Sequence, residues 1–175
     1  APDRVLIFSR TAGFRHDSIT VGAKALTDLA ASMGLESEWS QDAAAFTDDN
    51  LARFGVVIFL STTGDVLDDA QQGALERFIR AGRGWVGIHA AADTEYDWPW
   101  YQGLVGGAFK SHPAVQPATI LVTDRTHPAT AHLPERWVRT DEWYDYRENP
   151  RGKVHVLMSL DESSYTGAAM DATPA

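Results

Sequence analysis

Gly84-Trp85-Val86-Gly87-Ile88-His89-Ala90-Ala91-Ala92-Asp93-Thr94 reads as a buried strand that ends in a tight turn of small residues and then opens a helix. In α/β sheets, ligands and chemistry gather beyond the carboxyl ends of the strands. A strand-turn-helix elbow projects its central side chain there. Many enzymes built this way carry Ser or Cys at that point; this chain carries His89. The elbow predicts an enzyme-like site without a covalent acyl nucleophile.

Working outward, strands and helices alternate. Val5-Leu6-Ile7-Phe8 and Val56-Val57-Ile58-Phe59-Leu60 lack polar alternation, as parallel strands covered on both faces do. A third strand is expected over Leu35–Trp39. Helices are expected over Ser18–Met33, with Ile19, Ala23, Leu26 and Ala30 inward and Gly34 as stop. A short helix with Asp caps is expected over Asp48–Phe54, and another helix over Asp68–Ala81, with Leu75, Phe78 and Ile79 inward and Gly82 as stop. Repeated β-α-β units predict an α/β fold with a doubly wound, mostly parallel sheet flanked by helices. Beyond His112-Pro113 the chain turns β-rich, with strands expected over Thr119–Thr123, Val138–Tyr146 and Val154–Leu160. Gly167–Ala175 has little to bury and is expected to fray.

Composition narrows the function classes. A chain of 175 residues, 44% hydrophobic, suits one domain with a real core. A net charge of −9 argues against nucleic acid and anionic membranes, which demand a basic face. No apolar run reaches the ~18 residues a spanning helix needs. With no cysteine there is no disulfide, thiolate metal site or Cys nucleophile. The opening Ala1-Pro2-Asp3-Arg4, without initiator Met or signal peptide, fits either a processed N-terminus of a secreted parent or an arbitrary boundary. An extracellular or periplasmic location is favoured over the cytoplasm.

Four motifs then occur in order: Phe8-Ser9-Arg10-Thr11-Ala12-Gly13-Phe14-Arg15-His16-Asp17-Ser18, Gly87-Ile88-His89-Ala90-Ala91, Gly107-Ala108-Phe109-Lys110-Ser111-His112-Pro113 and Asp141-Glu142-Trp143-Tyr144. In this they resemble the ThuA-like (trehalose utilisation) proteins over nearly the whole chain. The resemblance implies a flavodoxin-like fold akin to class I glutamine amidotransferases, in a single domain. It implies a role around trehalose-type disaccharides or their keto derivatives, or service as one module of a larger sugar-active chain. Members continue with a His-Pro-Trp-like segment and a closing strand ending in Gly-His. The expectation is that this chain either lacks that strand or is a fragment of a longer one, and that the edge so left favours a homodimer.

Individual residues sharpen the site. His89 suits general acid/base chemistry, metal binding or a sugar hydroxyl, because imidazole titrates near neutrality through two distinct nitrogens. A structural role in tying the turn is the alternative. His16 follows the first strand and belongs at the same sheet edge, with Asp17 or Ser18 able to cap the next helix. Thr63, in Ser61-Thr62-Thr63-Gly64-Asp65, offers a hydroxyl at a strand end, or merely helps cap the next helix. His112 is held extended before Pro113. Glu142 stands in a mostly apolar strand, where a carboxylate must pair or shift its pKa. The catalytic set expected is His89, His16 and Glu142. The substrate-binding set is His112, Thr63, Asp93 and the aromatics Trp98, Trp100 and Tyr101, whose ring faces suit sugar C–H faces; core packing is the alternative for the rings. His16, His89, His112 and Glu142 also form an N/O donor set for Zn²⁺ or a similar divalent ion. The favoured function is His-centred hydrolysis or isomerisation of a disaccharide or keto-sugar, not glutamine amide transfer. A non-catalytic carbohydrate-binding or accessory module is the alternative. The expected partner is a small carbohydrate, with no nucleic acid and no membrane insertion.

Overall fold

Alternation along β1 (Arg4–Phe8) sets the architecture, because its successive side chains feed two separate cores. The computed structural model describes residues 2–170. These pack as two compact units, one up to Val105 and one from Gly106.

In the first unit, β1, β2 (Glu36–Ser40), β3 (Val56–Leu60) and β4 (Gly84–Ile88) form a parallel sheet in the order β2-β1-β3-β4. Leu6 and Phe8, with Val57 and Phe59, pack against α2 (Asp48–Leu51), α3 (Asp69–Arg80) and Tyr101 of α4 (Pro99–Val105). Val5 and Ile7, with Val56, Ile58 and Leu60, meet Ala23 and Leu26 of α1 (Ser18–Ser32). The unbroken apolar strands are explained by this two-sided covering, and the mixed α/β sheet flanked by helices is as expected.

Helix ends follow local chemistry. Gly34 (φ +73) and Gly82 (φ +84) take the left-handed conformation that stops α1 and α3. Asp68 and Gln71 close a reciprocal capping box on α3. Two caps differ from expectation. The α2 cap is Thr47, whose hydroxyl accepts from Asn50 N, while Asp48 instead receives Arg77 through two bonds of 3.0 and 2.9 Å. Asp17 precedes α1 in helical geometry, which turns its carboxylate away from the first-turn N–H groups, so it makes no cap bond.

The elbow strand also differs. β4 is the edge of the sheet rather than a fully buried strand, and Val86 is 44% exposed. Its glycines admit bulky neighbours. A Cβ on Gly87 would stand 2.5 Å from the Trp85 ring and 3.1 Å from the Ala91 Cβ. Trp85 is itself held against Phe59 and Tyr101. Gly87→Ala is expected to cost about 1–3 kcal/mol through overpacking, measured as a lower midpoint in urea.

The second unit is antiparallel. β6 (Gln116–Val122) pairs with β7 (Arg136–Asp141) on one side and β9 (Met158–Asp161) on the other, while β5 (Phe109–Ser111) pairs with β8 (Asp145–Tyr146). The single strand expected over 138–146 breaks at 142–144, so Glu142 sits between strands and not within one. The break follows Trp143, which buries its ring and donates from Nε1 to Gln116 O at 2.7 Å. Residues 167–170, expected to fray, are tied down: Ala169 N donates to the buried Asp145 carboxylate and Met170 N to Glu162. The rest of that stretch, 171–175, lies outside the described residues.

His127, His132 and His155 are exposed. His155 Nε2 lies 2.8 Å from Asp124. That hydrogen bond, followed by those from Thr126, holds the Asp124 carboxyl well below the usual carboxylate range. A depressed carboxyl stabilises the fold above its ordinary pKa and loses that contribution as pH falls. Asp124→Asn is therefore expected to lower the Tm at pH 7, with the gap closing below about pH 4. Paired melts across pH 3–7 check this. Among the described residues, no helix is long and apolar enough to cross a membrane.

Candidate functional site

Three loops at the carboxyl ends of β1, β3 and β4 build the site in the first unit. After β4, His89 adopts φ +52 and starts a 3-10 turn over His89–Ala92. A non-glycine residue there is strained by about 1–3 kcal/mol. The turn needs small residues because Ala90, Ala91 and Ala92 are all buried. Its carbonyls are taken: Asp93 N and the Thr94 hydroxyl donate to Ala90 O, and the Tyr101 hydroxyl donates to Ala91 O at 2.7 Å.

The β3 loop clamps its neighbours. Thr62 and Thr94 share a hydroxyl bond of 2.9 Å, and Gly64 N donates to Asp93 O. Ala12 N donates to Thr63 O at 2.7 Å; Gly13 N donates to Thr63 Oγ1, which donates on to Phe14 O. The β1 loop is thereby fixed beside the elbow, and His16 meets His89. Their Nε2 atoms are 3.1 Å apart and their rings cross at 80° with centroids 4.7 Å apart. Both are half-buried. In the neutral pair one Nε2 carries a hydrogen and the other presents a lone pair.

His112 and Glu142 come together in the second unit. His112 Nδ1 lies 2.8 Å from Pro113 O. A carbonyl only accepts, so Nδ1 holds the hydrogen and Nε2 carries the lone pair in the neutral ring. That Nε2 is 3.9 Å from Glu142 Oε1 and forms an ion pair when protonated. The Tyr144 ring stacks near His112, 6.0 Å between centroids at 22°, with Phe109 on its flank. The same unit holds a cavity of about 430 Å³ walled by Tyr144, Tyr146, Tyr165 and the apolar chains of Val154, Leu157 and Leu160. Burial, Glu162 and Asp145 push the Tyr165 phenol up to about 12. None of the catalytic, substrate-binding or metal-binding residues expected from the sequence lines this cavity, although Tyr144 of the fourth motif does.

Two of the expected substrate contacts, Tyr101 and Thr63, are fully buried. Tyr101 is fully buried in the core, where burial and Glu95 push its phenol far up. Thr63 is fully buried, with its hydroxyl spent on the β1 loop. Asp93 accepts from the Tyr96 hydroxyl at 2.5 Å. Trp98 and Trp100 stack on each other at 5.1 Å and lean on the core, retaining partial exposure. A structural residue that sequence reasoning does not single out is Glu95. It is 1% exposed, with φ +51, and its carboxylate accepts from Val66 N, Leu67 N and Gln72 Nε2. Its only sequence signal was its place between the elbow and the aromatic run.

No curated protein matches this chain. A ThuA-like protein of Bacteroides uniformis is similar at 29% identity and a TM-score of 0.78, covering 94% of this chain and 71% of that one. A ThuA-like protein of Parabacteroides merdae, 18% identical, shares the fold at a TM-score of 0.75 over 93% of this chain and 70% of its own. The ThuA family model, described as trehalose utilisation, matches residues 4–175. That match spans both units and all four motifs, so the chain belongs to the ThuA family, with a role related to carbohydrate.

Proposed function

We propose that His16 and His89 form the acid/base centre of a carbohydrate-active enzyme that hydrolyses or isomerises a disaccharide or keto-sugar. The Nε2 separation of 3.1 Å carries this reading. Two imidazoles in hydrogen-bond contact offer a lone pair and an N–H side by side. On a keto-sugar, one ring takes the proton from the carbon next to the carbonyl. The other donates to the carbonyl oxygen, giving an enediol; the hydroxyl of the deprotonated carbon then gives its proton back to the second ring as the first ring delivers its proton to the former carbonyl carbon. Hydrolysis uses the same parts: one ring protonates the leaving oxygen while the other draws a proton from water. We read the two units as parts of one ThuA-like domain; within the second, Glu142 is paired with His112 and is a carboxylate of the kind glycoside chemistry uses.

The first unit's fold is read as akin to class I glutamine amidotransferases, with His89 where a nucleophile would stand. A strained residue at a strand-end elbow supports this. Imidazole in that place argues against amide transfer.

A second reading is supported by the same distance. Two Nε2 ligands on one tetrahedral Zn²⁺, each about 2.0–2.1 Å from the metal, stand roughly 3.3 Å apart, close to the observed 3.1 Å. Thermal-shift titration separates the readings. A rise in Tm with trehalose or its 3-keto derivative, together with metal-free turnover, supports the acid/base centre. A rise with Zn²⁺ that vanishes in His16→Ala, with turnover only in its presence, supports the metal. Sugar binding without turnover under either condition supports an accessory module.

A further inference from the structure

We infer that Phe14 is the stacking platform for a pyranose ring at this site, an inference that rests on the carbohydrate reading of the His16–His89 pair. Phe14 is 69% exposed, the highest value among the exposed aromatic side chains. A lone exposed apolar residue is ordinary; one set edge to face on a half-buried imidazole, with its backbone pinned, is not. Its ring lies 4.9 Å from the His16 ring, edge to face at 79°. Its backbone is fixed on each side. Gly13 N donates to Thr63 Oγ1 at 3.2 Å, Phe14 O accepts from that hydroxyl at 2.7 Å, and the Arg15 guanidinium donates to Gln41 at 3.0 Å.

The loop beneath admits little slack. A Cβ on Gly64 would stand 3.2 Å from both the Ala12 Cβ and Gly13 N. A pre-ordered aromatic face loses little entropy on binding. The C–H face of a sugar is the ligand surface that matches an aromatic ring without needing charge. The residues expected to stack are placed otherwise: Tyr101 is buried, and Trp98 and Trp100 stack on each other with partial exposure, whereas Phe14 sets its exposed ring directly against His16.

Calorimetric titration with trehalose and with its 3-keto derivative tests the platform on wild type, Phe14→Ala, Phe14→Leu and Phe14→Trp. Because Phe14 is exposed, the variants should keep the wild-type Tm. Phe14→Ala and Phe14→Leu should weaken binding roughly two- to tenfold, the loss of one aromatic contact. Phe14→Trp should bind as wild type, with added tryptophan emission that changes on sugar addition. Wild-type affinity in Phe14→Ala and an unresponsive Phe14→Trp would overturn the platform while leaving the histidine site standing. Absence of sugar binding by the wild type itself would overturn both.

Discussion

His89→Gly is expected to abolish turnover of the sugar substrate, lowering it by about 10²–10⁴-fold, while folding stability stays within about 1 kcal/mol of wild type. The two effects separate because His89 sits at φ +52. Glycine takes that conformation without a Cβ penalty, which offsets the lost contact with His16. Alanine is a poorer choice, since it keeps the backbone strain while removing the imidazole. A residue retained solely to tie the turn would behave otherwise: its replacement by glycine would leave activity near wild type. High stability with lost activity is the signature of strain held for function. Urea unfolding and product formation by NMR, run on the same protein stock, read both sides.

Glu95→Ala is expected to destabilise the first unit by roughly 3 kcal/mol, or about 6–12 °C in Tm. One carboxylate oxygen receives both Val66 N and Leu67 N at 2.8 Å, and the other receives Gln72 at 2.7 Å. Val66 and Leu67 are buried, so water cannot replace the lost acceptor. Each orphaned N–H costs about 1–3 kcal/mol. Glu95→Gln keeps an oxygen for the two backbone donors and should recover most of the loss once the Gln72 amide turns over. Alanine and glutamine variants that melt alike would show that the carboxylate does not hold this loop. The consequence reaches the site, because Glu95 N also bonds Gly64 O within the clamp that joins the β3 loop to the elbow.

Much of this scaffold was legible in the residues. Leu6 and Phe8 alternate with Val5 and Ile7 into two cores, and an unbroken apolar run is what that demands. Gly34 and Gly82 marked helix ends because left-handed geometry favours glycine. His16 and His89, 73 positions apart, could be placed at one sheet edge because each follows a strand of the same parallel sheet. Side-chain direction was not legible. Tyr101 and Thr63 are chemically as suited to a sugar as to the interior, and only packing decides which. Glu95 failed for the opposite reason: carboxylates are rarely buried, so a buried cap for two loop amides had no pattern to announce it. Glu142 was assigned to a strand because Trp143 and Tyr144 look strand-like, yet the buried indole ends the ladder there.

The central claim is that the His16–His89 pair performs proton transfer on a bound sugar. Its most direct test is to follow trehalose and its 3-keto derivative by NMR with wild type and His89→Gly, at concentrations where calorimetry shows both proteins loaded. The account predicts conversion by the wild type and a bound but unchanged sugar with His89→Gly. Equal conversion by the two proteins would contradict it.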